Sequence, residues 1–249
     1  MPCQCDYFRL TNSNDYNDEI PELLRGEAIT RRLVAEAIGE EVETVSRAFW
    51  PSSKLPAKVS GWLDEYEPDM VFIRCAAYWV SFESLPLRID RTLGRLGRWP
   101  AAVGKRLGSE PTVASNRAAV WVRRRLVRAI GGDTYFTPGE ATRHVEAVLR
   151  VILAKESTIA VVRGPGHAHN TAGTARGQRR ALARNGEFDE QLAALCARLR
   201  VAYVSARPAA AVAESLGRDD VHSTAAGQRA FAELESPVIA KAWEDARRV

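Results

Sequence analysis

The chain has 249 residues, 46% hydrophobic and 27% charged, with 17 Gly and 12 Pro, a composition that excludes a disordered or fibrous protein. No stretch approaches the run of about 20 apolar residues that a membrane span needs, and the first residues lack the basic and apolar regions of a secretory signal, so a cytoplasmic protein is expected. The 35 basic and 31 acidic residues leave a net charge of +4; the arginines gathered at 117–128 and 176–184 read as solvated helix faces, and no nucleic-acid partner is expected.

Tyr7 to Leu10 is a short strand candidate running into a polar turn, Thr11-Asn12-Ser13-Asn14-Asp15. Cys3 and Cys5, just ahead of it, read as a frayed terminus. From Ile20, apolar residues recur at three and four positions through Ala37, with Gly39 as the stop, which predicts a helix. Val42 to Phe49 alternates as a second strand and ends in the breaker-rich Trp50-Pro51-Ser52-Ser53-Lys54-Leu55-Pro56. Val59, Trp62, Leu63 and Tyr66 then mark a second helix. Met70 to Ala77 is a nearly continuous apolar run, as expected of a strand covered on both faces.

Residues 80–156 contain no clear strand. Two helical patterns occur there, one through Val120, Val122, Leu126, Val127 and Ile130 and one through Val145, Val148, Leu149, Ile152 and Leu153, so a helical insertion or enlarged crossover is expected over about 91–156. Thr158 to Val162 is a fourth strand. A polar, Arg/Gly-rich stretch reaches Gly186, a helix covers Phe188 to Leu199, Val201 to Val204 is a fifth strand, and a final helix carries Phe231, Leu234, Val238, Ile239 and Trp243. Strands alternating with helices predict one α/β domain over 1–249, three layers around a mostly parallel five-stranded sheet.

In such folds ligands bind at the carboxyl ends of the strands. Ser13, Trp50 to Ser53, Ala76 to Trp79, His167 to Asn170 and Asp219 to His222 all fall on that edge. A serine hydroxyl becomes a nucleophile when an imidazole takes its proton and a carboxylate orients the imidazole. Ser13, Asp219 and His222 offer that set, although a turn serine and a helix-capping Asp and His fit the same residues. His167 and His169 lack a third metal ligand nearby, so they and Asn170 are candidates for substrate contact or simple loop polarity, and no metal or cofactor is expected. Trp50 and Trp79 can stack on a substrate or pack the core.

The layout resembles the SGNH, or GDSL, family of serine esterases and lipases. Thr11-Asn12-Ser13-Asn14 stands where that family carries Gly-Asp-Ser, and Asp219-Asp220-Val221-His222 with the downstream Gly227 is similar to its C-terminal block. Pro68-Asp69-Met70-Val71-Phe72-Ile73 resembles the strand before its third block. The resemblance implies a flavodoxin-like sheet and a small ester substrate. It also implies catalysis by Ser13 as nucleophile, His222 as base and Asp219 as its orienter, through an acyl-enzyme. The family adds a glycine N–H and an asparagine side chain to the oxyanion site. Here the second block has no glycine and includes Pro51, which has no N–H, while Tyr78 stands at the asparagine's position. Ser52 N–H and Tyr78 OH are the candidate replacements. The same departures leave open a weakly active or inactive binding protein for an acyl or carbohydrate ligand.

Overall fold

A computed structural model of the chain describes residues 4–11, 20–93, 117–212, 214–217 and 222–248. Its five strands are β1 (Gln4–Thr11), β2 (Glu41–Ala48), β3 (Met70–Arg74), β4 (Ile159–Arg163) and β5 (Ala202–Val204). They form one all-parallel sheet in the order β2-β1-β3-β4-β5. The order reverses between β1 and β3, so the crevice a ligand can enter opens at the carboxyl ends of those two strands.

The helices are α1 (Gly26–Ile38), α2 (Leu55–Tyr66), α3 (Tyr78–Ser81), α4 (Leu85–Leu93), α5 (Arg117–Ile130), α6 (Pro138–Leu153), α7 (Ala175–Leu199), α8 (Arg207–Ala210) and α9 (Ala225–Ala246). Successive strand residues point to opposite faces. Phe8, Leu10, Val71, Ile73 and Val162 therefore join the core under α2, α6 and α7. Tyr7, Val42, Met70, Phe72 and Val161 join the core under α1 and α9. This makes a three-layer α/β/α sandwich.

Several expectations are corrected. Cys5 is buried inside β1 opposite Val42 rather than frayed; burial pushes its thiol and that of Cys196 up to about 12, so both stay protonated and pack as small hydrophobes. Pro56 lies in the first turn of α2, where its missing N–H costs nothing. The third strand stops at Arg74. Within the 91–156 region, α6 buries Val145, Val148, Leu149 and Ile152 against the sheet, so it is the crossover helix between β3 and β4. Thr137 starts it with a reciprocal capping box to Glu140.

The Arg/Gly-rich stretch before Gly186 is helical. Together with the expected helix it makes the single 25-residue α7, capped by Thr174, whose Oγ1 accepts from Gly177 N–H at 3.0 Å. Burial of Ala181, Asn185, Phe188 and Leu192 along one face outweighs the local preference of its two glycines. A Cβ at Gly177 would stand 2.6 Å from Asn170 Oδ1, so glycine there lets the β4–α7 loop close onto the helix. Among the described residues, no helix is long and apolar enough to cross a membrane.

Candidate active site

Four described loops meet at the carboxyl edge. Thr11 ends β1, its carbonyl accepting from Phe49 N–H at 3.0 Å, which draws the β1 and β2 ends together. Ser13, in the segment that follows Thr11, and Asp219 lie outside the described residues. His222 is described, and its position follows from the hairpin that carries it. Leu216 and Ser223 pair as an antiparallel bridge, Gly217 N–H donates to His222 O at 2.7 Å, and Thr224 N–H donates to Ser215 O at 3.1 Å. Thr224 then caps α9, accepting from Gly227 N–H at 3.1 Å while its own hydroxyl donates to Glu214 O at 2.6 Å. A capped helix start thus fixes the backbone on which His222 sits.

The expected oxyanion and contact residues separate into different environments. Ser52 occupies the turn into α2, its carbonyl accepting from Leu55 N–H at 3.1 Å. Tyr78 opens α3, with its ring stacked on Phe82 at 4.3 Å and on Tyr135 at 5.4 Å. Trp50, 43% exposed, meets Tyr135 edge-on at 4.9 Å. These rings, with the edge of His169 at 5.7 Å from Tyr78, make an aromatic wall on the β2–β3 side of the edge. Trp79 is 1% exposed and packs between Phe49 and Phe188, so its ring belongs to the core rather than to a ligand surface.

His169 is buried, its backbone N–H donating to Ser81 Oγ at 3.0 Å. Asn170 closes its own loop: Oδ1 accepts from Gly173 N–H at 3.0 Å and Nδ2 donates to Thr174 O at 3.1 Å. That is the structural work of an Asx turn.

A cleft of about 1010 Å³ opens between the start of α7, the β4–α7 loop, the α8 turn and residues 214–216. His167, Asn170, Asn185, Ser205, Ser215 and Leu216 contribute to its walls. Desolvation, aided by the neighbouring His169, Arg163 and Arg74, lowers the His167 pKa from 6.5 to about 4, so its ring is neutral at physiological pH. The Ser215 backbone acts in the opposite direction. Ser205 Oγ donates to the buried Asp189 at 2.8 Å, and Tyr203 OH donates to the same carboxylate. Among the described residues no cluster of His, Cys, Asp or Glu could hold a metal ion.

Sequence reasoning missed the charged layer under this edge. Arg9, Arg74 and Arg163 come from three adjacent strands, point to the α9 side and are 1–3% exposed. Glu235 of α9 receives Arg9 at 3.3 Å, Arg163 at 3.4 Å and the Thr30 hydroxyl at 2.7 Å. The Arg163 and Arg74 guanidiniums also sit over the Phe231 ring at 4.6 and 5.9 Å. The available signal was one arginine near the end of each of three strands. The arginine clusters read as solvated faces are only partly so, because Arg180 and Arg184 reach the buried Glu83 at 3.1 and 3.3 Å.

No protein-family model matches the chain, and no curated protein matches its sequence. Solved structures do match its fold. A carbohydrate acetylesterase family member from Sinorhizobium meliloti aligns over 96% of this chain and 99% of its own, with a TM-score of 0.60 and 10% identity. TesA aligns over 95% and 99%, with a TM-score of 0.58 and 12% identity. The psychrotrophic esterase EstA from Pseudoalteromonas sp. aligns over 96% and 98%, with a TM-score of 0.55 and 10% identity. The chain therefore has the α/β/α fold of SGNH/GDSL esterases and lipases.

Proposed function

We propose that the chain is a serine hydrolase that cleaves carboxylic esters of small molecules. The observation that supports this reading is the Leu216–Ser223 bridge, which holds His222 two residues ahead of the Thr224 cap of the terminal helix in a fold built on a five-stranded parallel sheet. The solved structures of the same fold include esterases, which supports the reaction class.

In this reading Ser13 Oγ attacks the ester carbonyl as its proton passes to His222, and Asp219 holds the imidazole and stabilises its charged form. The oxyanion forms against Ser13 N–H, Ser52 N–H and Tyr78 OH. The tetrahedral intermediate collapses, the alcohol leaves with the proton from His222, and an acyl-Ser13 ester remains. Water then adds to that ester with His222 taking its proton. The second collapse returns the proton to Ser13 Oγ and frees the carboxylic acid.

Labelling by a fluorophosphonate tests this. Folded wild type is expected to label, and Ser13→Ala and His222→Ala are expected to lose the label. Absence of labelling in folded wild type overturns the reading in favour of a binding protein on the same fold.

A further inference from the structure

Helix α5 carries five arginines and no acidic residue, a local charge that exceeds the +4 of the whole chain. One side of it is tied to the body of the protein. Val127 is buried there, and Arg128 donates from Nε to Ala172 O at 2.7 Å and from Nη2 to Gly173 O at 3.2 Å, which fixes that side to the β4–α7 loop. Val122, Leu126 and Ile130, spaced four apart, form a stripe turned away from Arg128. All three are 39–54% exposed. Trp121 beside them is exposed as well, with the Arg125 guanidinium 4.5 Å from the centre of its ring.

Single exposed apolar side chains are ordinary, but a stripe of them along one helix is a contact surface. Charge selects what covers it. A second copy would meet the stripe with the same face, as two-fold contacts do, and would set five arginines against five. Residues 94–116, which lead into the helix, contain Arg95, Arg98, Lys105 and Arg106 against one acid, Glu110, so the neighbouring sequence adds positive charge instead of neutralising it. Nucleic acid would satisfy the arginines but offers nothing to an aliphatic stripe, because such interfaces are polar or built on aromatic stacking. A surface that is anionic outside and apolar just beneath satisfies both, and a bilayer containing anionic lipids is such a surface. The helical spacing places Arg123 and Arg125 on either side of the stripe, where long side chains return to the headgroups while the stripe enters the acyl boundary.

We propose that α5 docks the protein on an anionic lipid bilayer, lying in the plane of the interface with Val122, Leu126 and Ile130 in the acyl boundary and its arginines among the headgroups. The helix rests on the bilayer and does not cross it, because its 14 residues rise only about 21 Å against a hydrocarbon core of about 30 Å. Since Arg128 holds α5 against the β4–α7 loop, docking brings that loop close to the lipid surface. The surface is a property of the helix and stands whether or not Ser13 forms an acyl-enzyme.

The test is flotation of the full-length protein with vesicles of ether-linked phosphatidylcholine, with and without ether-linked phosphatidylglycerol. These lipids hold no carboxylic ester, so turnover does not enter the measurement. The protein is expected to float with the anionic vesicles and not with the neutral ones, and to be released progressively by added salt. Leu126→Gln combined with Ile130→Gln alters only exposed side chains and no charge; it is expected to weaken binding about tenfold or more with the melting temperature kept. Arg125→Gln is expected to weaken it about fivefold. Arg229→Gln, which removes the same charge from an exposed position on α9, is the control and is expected to leave binding unchanged. The proposal is overturned if anionic vesicles bind no more tightly than neutral ones, if the folded double variant floats as wild type does, or if Arg229→Gln weakens binding as much as Arg125→Gln. It is equally overturned if sedimentation shows a dimer that the double variant dissolves, or if duplex DNA or RNA binds more tightly than the anionic vesicles. None of these outcomes depends on fluorophosphonate labelling, so this proposal and the esterase reading can fail separately.

Discussion

A Cβ on Gly227 would collide with the carbonyl oxygen of Ser215 and come within 2.9 Å of its carbonyl carbon. The obstacle is backbone, and that carbonyl also accepts from Thr224 N–H at 3.1 Å. Substitution therefore moves the bridged backbone around Ser215 and Thr224, and His222 with it. Gly227→Ala is expected to destabilise by about 1–3 kcal/mol, as overpacking does, and to lower fluorophosphonate labelling even at temperatures where the variant is fully folded. Gly61, exposed in α2 with nothing within 4 Å of an added Cβ, is the control: Gly61→Ala is expected to stabilise by about 0.5–1 kcal/mol. Urea unfolding of both variants, with labelling of Gly227→Ala, checks the pair. Full labelling of Gly227→Ala would separate this contact from the site.

Glu235 is the buried counter-charge of Arg9 and Arg163, with side-chain exposure of 2%. Its removal strands guanidiniums that the fold has already desolvated, whereas the intact pair need add little net stability. Glu235→Ala is expected to cost about 3–5 kcal/mol. Thr30→Val, which removes one hydrogen bond to the same carboxylate at 2.7 Å, is expected to cost about 1.5–3 kcal/mol. In the double variant the two costs should fall short of adding, since Thr30 has no carboxylate left to serve. Additive costs in equilibrium unfolding would show that the hydroxyl does not act through Glu235.

The sandwich was legible because its signals are local. The apolar run of β3, the helical spacing of α6 and the turn-rich junctions each announce themselves within a dozen residues. The helix α7 was only half legible, because glycine and arginine content argued for a loop while the burial that makes it helical comes from the sheet it covers. The charged layer was hidden for a different reason: Arg9 and Glu235 are 226 positions apart, and nothing near either names the other. His222 could be placed by its three-residue offset from Asp219 and by the downstream glycine. Asn185 could not, since its amide is fixed by the Gly166 carbonyl across the β4–α7 connection.

The depressed His167 makes stability depend on pH. Its ordinary pKa of 6.5 falls to about 4 in the folded chain, so between those values the unfolded chain binds more protons. The contribution of the neutral ring is complete above about pH 6.5 and is lost as pH falls toward 4. After allowance for partial solvent screening, the loss is expected to reach about 2 kcal/mol. His167→Asn cannot titrate there, so its unfolding free energy should decline less steeply than that of wild type over the same interval. Parallel declines would refute the assignment.

Two tryptophans near the carboxyl edge should respond in opposite ways. Trp79, 1% exposed between Phe49 and Phe188, fills the core, and Trp79→Ala is expected to cost about 3–5 kcal/mol. Trp50, 43% exposed, stands in the aromatic wall, and Trp50→Ala is expected to cost about 1 kcal/mol or less. If that wall receives substrate, Trp50→Ala raises KM for an aryl or acyl ester with kcat little changed. An unchanged KM across an ester series would confine Trp50 to packing against Tyr135.

Tyr78 tests the proposed oxyanion site. Its ring is held between Phe82 and Tyr135, and Tyr78→Phe preserves that stack while deleting only the hydroxyl. If the hydroxyl donates to the developing oxyanion, kcat on an activated ester falls by about 100- to 1000-fold. KM and thermal stability change little, because the bond strengthens only as negative charge appears. Fluorophosphonate labelling should slow in parallel, since its phosphoryl oxygen takes the same position. A change in kcat below about twofold would remove Tyr78 from the oxyanion site and leave the backbone N–H groups of Ser13 and Ser52 as its donors.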